Sequence, residues 1–137
     1  MGGMKKDYRK WHQRKSEVND IITRPFFHER EIWFCTLGVN VGFEQDGAGK
    51  DFLRPVVIVR KFNNEIFWAI PLTKLKKRIS KNAEYYYFRF SFKARAISAA
   101  ILSQIRLVDA RRLYYLVGEM SVTDFTEMKK RLKALLP

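Results

Sequence analysis

A mainly β fold, a small antiparallel sheet curled at least partly into a barrel with a helix at each end, follows from three features of the sequence. Short apolar runs and alternating stretches recur from Glu31 onward, divided by glycine and asparagine turns. The strands between residues 55 and 105 have no helices between them, which disfavours a parallel sheet with helical crossovers. Helical spacing of apolar residues is confined to the two ends of the chain. With 137 residues there is material for one core, and we divide the chain into a basic helix with its linker (1–28) and a β domain carrying the terminal helix (29–137).

The first element is an amphipathic helix over residues 4–22, in which Tyr8, Trp11, Val18 and Ile22 return on one face and need something to lie on. Thr23-Arg24-Pro25 ends it, because proline restricts the residue before it and opposes continuation. Residues 31–37, EIWFCTL, read as a strand, followed by a long connection marked by Gly38, Gly42, Gly47 and Gly49. PVVIVR, residues 55–60, is a buried strand with Pro55 near its beginning or edge. Asn63-Asn64 turns the chain into a strand whose Ile66, Trp68, Ile70 and Leu72 share a face, with Thr73 at its end on the other. Residues 84–92 alternate, with Tyr86, Phe88, Phe90 and Phe92 on one side, and another strand is predicted within 97–105. A helical turn near Asp109–Leu113 and a short strand through Tyr114–Val117 lead to the last helix. There Ser121 caps, Asp124 closes a capping box, and Val122, Phe125, Met128, Leu132 and Leu135 form the predicted buried stripe.

The 27 Lys and Arg against 14 Asp and Glu give a formal net charge of +13, while 47% hydrophobic residues are far from the composition of a disordered basic tail. The charge is concentrated: residues 74–95 carry eight basic side chains and one acidic one. Lys74, Lys76, Lys77 and Arg78 lead into an aromatic-rich strand there, and cations beside exposed rings suit single-stranded nucleic acid. The field by itself points to an anionic partner and does not separate RNA from DNA or from an acidic protein. No apolar run reaches the roughly 18 residues of a membrane span, and the polar N-terminus has no signal-peptide character, so a cytoplasmic location without membrane association is expected. One cysteine, Cys35, excludes an intrachain disulfide and is expected to be a small buried residue. Two histidines beside it make no zinc ligand set, so neither a metal nor another cofactor is expected.

Phosphodiester chemistry without a metal still requires cations or hydrogen-bond donors around the phosphoryl oxygens and a route for a proton. The candidates at strand and loop junctions are Arg54, Thr73, Gln104, Arg106 and Asp109. Arg54 directly precedes a buried strand, a costly place for a charge unless it faces a cleft or is paired, with Glu44 or Asp109 as the alternative partners.

The ordered motifs EIWFCTLGVNVGFEQ, LRPVVIV, IPLT and ILSQIRLVDARRL resemble the PemK/MazF family of toxin endoribonucleases from bacterial toxin-antitoxin systems, over residues 30 to about 118. That resemblance implies an SH3-like barrel of the plasmid-maintenance toxin type, usually a homodimer. It also implies metal-independent cleavage of single-stranded RNA at short preferred sequences, blocked by a cognate antitoxin. Matched motif by motif, it makes Arg54 and Thr73 the catalytic pair, and assigns supporting or RNA-binding places to Glu44 and Gln45 in the loop, to Gln104 and Arg106, and to Asp109 with Arg112. Two positions depart from the pattern: Phe43 stands where many relatives have a small hydroxyl residue, and Ser103 where some branches have an acid. The readings that compete with a nuclease are a noncatalytic nucleic-acid-binding barrel and a module that binds only an antitoxin-like protein.

Overall fold

The structure is a computed structural model that describes residues 25–37, 53–74, 84–93 and 96–137. The expected N-terminal helix, the glycine-marked connection with Glu44 and Gln45, and Lys76, Lys77 and Arg78 lie outside the described residues. Among the described residues seven antiparallel strands form one sheet: β1 (Glu31–Thr36), β2 (Leu53–Lys61), β3 (Ile66–Lys74), β4 (Tyr87–Lys93), β5 (Ala96–Ile101), β6 (Arg106–Asp109) and β7 (Leu113–Glu119). An α-helix, α1 (Val122–Lys133), follows β7, and 3-10 turns at Leu102–Gln104 and Ala110–Arg112 flank β6. No helix among the described residues is long and apolar enough to cross a membrane.

The strand order is β4-β5-β3-β2-β1-β7, with β6 also on β3. β3 is the hinge of this arrangement. One of its sides follows β2, while the other is shared: Ile66 to Ala69 pair with β6, and Leu72 to Lys74 pair with β5. A single strand serving two neighbours in succession curls the sheet. Among the described residues the ladders end at β4 and β7. Side chains approach across that gap, since a Cβ built on Gly118 of β7 would stand 3.4 Å from the ring of Phe92 in β4.

Alternation along the central strands divides the core in two. Val57 and Val59 of β2 and Ile70 and Leu72 of β3 pack with Phe88, Phe90 and, from α1, Phe125 and Met128. Val56 and Ile58 of β2 and Phe67 and Ala69 of β3 pack instead with Trp33, Cys35, Val108, Ala110 and Phe27. Both faces are therefore covered, which is why PVVIVR reads as an unbroken apolar run. The core also reaches back into the segment assigned to the linker: Phe27 is fully buried, its ring centroid 4.9 Å from that of Phe67.

Two local expectations change in detail. β2 starts at Leu53 and therefore includes Arg54 within the strand. Trp68 keeps the face it shares with Ile70 and Leu72 but is 42% exposed on it. Val122, expected in the buried stripe of the last helix, is 61% exposed. As the first helical residue its side chain tilts toward the N-terminus, past the end of the helix. Phe125 and Met128 are buried and Leu132 and Leu135 partly so, and the Asp124 amide donates to Ser121 Oγ at 3.1 Å as the cap requires.

Arg30 enters β1 with φ of 77°, an unfavourable region for a residue with a Cβ. Its amide donates to Ile58 O at 2.9 Å, its carbonyl accepts from the Met120 amide at 2.8 Å, and its Nε donates to Met120 O at 3.0 Å. This one backbone position thereby ties β2, β1 and the start of α1 together, which is what holds the strained conformation.

Candidate functional site

The site is set by register. On β1–β2, Arg54 stands opposite Cys35, so the two side chains leave the sheet on the same side. On β2–β3 the ladder begins where Val56 faces Pro71; Arg54 and Thr73, each two residues beyond that pair, lie on the same side of the sheet as it does. Arg54 is 9% exposed and Thr73 half-buried, and Thr73 is also paired with Ala99 of β5. Lys74, the next residue, is exposed at the strand end.

Two further guanidinium groups bear on the same region. Arg112 donates from Nη1 to Thr36 O at 3.2 Å, and Thr36 Oγ1 donates to Arg112 O at 3.3 Å, a reciprocal pair that fixes the 3-10 turn before β7 against the end of β1. Arg106 is exposed on β6, opposite Ala69. Cys35 senses both: burial pushes its thiol up to about 12, while the positive charges of Arg112 and Arg106 oppose that rise. Burial dominates, so the thiol stays protonated and is no nucleophile. Burial likewise lowers Arg112 from its ordinary value, with the proximity of Arg106 adding to the effect. Arginine side chains clustered in this way, beside a strand-end hydroxyl, suit a phosphate: their forked donors match its oxygens, and its charge relieves their mutual repulsion.

The remaining sequence candidates are spread along β3. Asp109 stands opposite Ile66, seven residues from Thr73, or about 23 Å at the rise of an extended strand. Its carboxylate caps the 3-10 turn, accepting from the Arg111 amide at 2.8 Å and from Arg111 Nε and Nη2 at 3.1 and 3.0 Å. Arg111 was not singled out in the sequence, although an aspartate two residues before an arginine at a turn is a recognisable signal for such a local pair. Gln104 is half-buried in the 3-10 turn between β5 and β6, and Ser103 beside it is exposed. Thr36 was also missed, since a threonine within an apolar run gives no sign that its carbonyl and hydroxyl anchor an arginine 76 residues away.

A cavity of about 690 Å³ lies elsewhere, between α1, the turn after β5 and the exposed side of Trp68. Val59 and Leu102 on its wall belong to the core cluster beneath α1, the face of the sheet opposite that of Cys35.

Residues 28–136 match a family described as PemK-like, MazF-like toxin of type II toxin-antitoxin system. No curated protein matches the sequence. Solved structures with a similar fold include an endoribonuclease in complex with its cognate antitoxin from a mycobacterial species, at 14% identity and a TM-score of 0.59, covering 82% of this chain and 98% of that one. MazF from Deinococcus radiodurans is 15% identical with a TM-score of 0.58, over 82% of this chain and 96% of its own. The Mycobacterium tuberculosis toxin MazF-mt6 is 12% identical with a TM-score of 0.55, over 77% and 94% respectively.

Proposed function

The chain belongs to the PemK-like, MazF-like toxins of type II toxin-antitoxin systems, and from that premise we propose that it is a metal-independent endoribonuclease that cuts single-stranded RNA. The observation that supports this reading is that Arg54 and Thr73 lie on one side of the neighbouring strands β2 and β3, two residues beyond the Val56–Pro71 pair, with Arg106 and Arg112 contributing positive charge at Cys35, the β1 partner of Arg54. The 2′-hydroxyl oxygen attacks the adjacent phosphorus, the bond to the 5′-oxygen breaks, and that oxygen leaves with a proton. The products are a 2′,3′-cyclic phosphate and a 5′-hydroxyl end. Arg54 stabilises the charge that develops on the phosphoryl oxygens, and the Thr73 hydroxyl holds one of them in place. Dependence on a 2′-hydroxyl makes DNA a non-substrate.

Arg106, Arg112 and Lys74, with Lys76, Lys77 and Arg78 farther along, bind the backbone on either side of the scissile phosphate; Gln104, Glu44 and Gln45 shape the groove, and Asp109 sets the turn that carries Arg112. The toxin acts as a homodimer, and a cognate antitoxin silences it by covering the groove; the similar mycobacterial endoribonuclease is in complex with its own.

The test is incubation of the wild type and Arg54→Ala with a long unstructured RNA and its DNA counterpart, in chelator, with mapping of the ends. RNA-only cuts that leave cyclic phosphate or 3′-phosphate and vanish in the variant support the assignment. Binding without scission points instead to the noncatalytic barrel.

A further inference from the structure

We propose that the cavity between α1 and β3 is a binding site for a small anionic amphiphile, an aliphatic chain ending in a carboxylate. Its volume of about 690 Å³ falls in the range of roughly 300 to 1,000 Å³ usual for small-ligand sites, and like them it is mostly apolar with a few polar groups. Val59 and Leu102 in its floor are buried, and Ile105, Leu132 and Leu135 around them are partly so. The charged groups stand nearer to solvent and are mostly of one sign. Arg60 and Lys133 are exposed and Lys129 is half-buried, against one acid, Glu29. Glu29 is engaged, its Oε2 accepting from the Lys61 amide at 2.9 Å. The three cations have no carboxylate: among the described residues the arginine ion pairs are Arg30 with Glu119, Arg89 with Glu84 and Arg111 with Asp109.

Two features single out a small chain with a charged head. The first is that the cations come from two walls. Lys129 and Lys133, one turn apart on α1, suit the negative end of that helix by themselves. Arg60 is on β2, beside Trp68 in the β2–β3 ladder, where no helix end calls for a charge. A carboxylate at the mouth draws on both walls, and the fork of Arg60 matches its two oxygens. The second feature is that the opening is short. It takes in only the last turn of α1 and the residues after it, because Phe125 and Met128, one turn earlier, are buried against the sheet. Lys129 to Lys133 spans about 6 Å of helix axis, whereas a docked amphipathic helix spreads its anchors from i to i+7, about 10 Å. Phe62 meets Trp68 edge-on at 4.9 Å between centroids and has the Arg60 guanidinium 5.6 Å from its ring, so the chain enters past an aromatic and cationic wall. The cavity is on the face of the sheet opposite that of Cys35 and Arg54, and the proposal stands apart from any reading of phosphodiester chemistry.

Calorimetric titration of the full chain with dodecanoate, below its micelle-forming concentration, tests this. One molecule per chain is expected, with decanoate about fifteenfold weaker, since each buried methylene changes affinity about fourfold. Dodecanol and dodecylammonium should bind at least about tenfold more weakly than dodecanoate, and Arg60→Gln/Lys133→Gln should weaken dodecanoate by a similar factor while leaving dodecanol unchanged. Ser103→Trp, at an exposed position on the wall, should block the site, with thermal unfolding checking that each variant folds. Dodecanoate brominated at the chain end should quench Trp68 emission in a Trp11→Phe background, and the quenching should vanish when Trp68→Phe is added, because the remaining Trp33 is buried in the other core cluster. No binding, equal binding of the three head groups, or binding indifferent to Ser103→Trp would overturn the proposal. So would a response to anionic-lipid vesicles alone, a Glu- and Leu-rich peptide that binds where dodecanoate does not, or an affinity that falls as protein concentration rises, the mark of a second copy covering the cavity.

Discussion

The assignment of Arg54 and Thr73 to one phosphoryl group makes a quantitative demand on a double-mutant cycle. If β2 and β3 keep their register to the strand end, the Cβ atoms of the two residues are roughly 4.5 to 5.5 Å apart, close enough for both side chains to reach one phosphate. Loss of a positioned donor to developing oxyanion charge lowers kcat by about 10²- to 10³-fold, the expectation for Arg54→Met. A hydroxyl donating to a charged oxygen contributes about 1.5 to 3 kcal/mol, so Thr73→Val should cost roughly 10- to 150-fold. Independent action would multiply these losses. Action on a shared group makes the double variant about 2- to 150-fold more active than the product, since coupling between contacting residues runs to about 0.5 to 3 kcal/mol. The assay is single-turnover cleavage of an end-labelled RNA in chelator, with thermal unfolding of each variant alongside because Arg54 is buried. Strictly multiplicative losses, or an Arg54→Met enzyme as fast as wild type, would refute the shared-phosphate reasoning.

Other consequences concern the body of the protein. The Cys35 thiol, held near 12 when folded against an ordinary 9.0, stays neutral while the unfolded chain ionises, so stability is fully present below pH 9 and declines as the pH rises toward 12. Urea midpoints at pH 7.5 and 10.5 should show that decline in the wild type and a shallower one in Cys35→Ala; equal slopes would remove Cys35 from the account. Gly118→Ala should be neutral or stabilising by up to about 1 kcal/mol, since its new methyl makes an ordinary contact with Phe92 at 3.4 Å, whereas Gly118→Leu should lower the Tm by pushing into that ring. Ser121→Ala removes the bond to the Asp124 amide and should cost about 1 kcal/mol in urea unfolding. Met128→Ala, beneath the same helix and fully buried, should cost about 2 to 5 kcal/mol by the same measurement.

What the sequence determined by itself was local. Period-two alternation, turn residues and capping signals depend on neighbours a few positions away, so β1, β3, β4, the 3-10 turn after Asp109 and the capped α1 were legible before the fold was known. The same locality placed Arg54 and Thr73 at strand ends, and the family motifs named them together. The register that sets both on one side of the sheet was not legible from periodicity, because register is chosen by whole faces packing against each other. Tertiary structure also decided that Asp109 belongs with Arg111 at the far end of β3, and that Arg112 is fixed through Thr36. It left Trp68 exposed on the face it shares with the buried Ile70 and Leu72, since how far a face is covered depends on elements distant in sequence. The cavity beside that tryptophan has walls from the segment before β1, β2, β3, the turn after β5 and α1 with its C-terminal end, and a surface assembled from five separated segments exists only once long-range packing has brought them together.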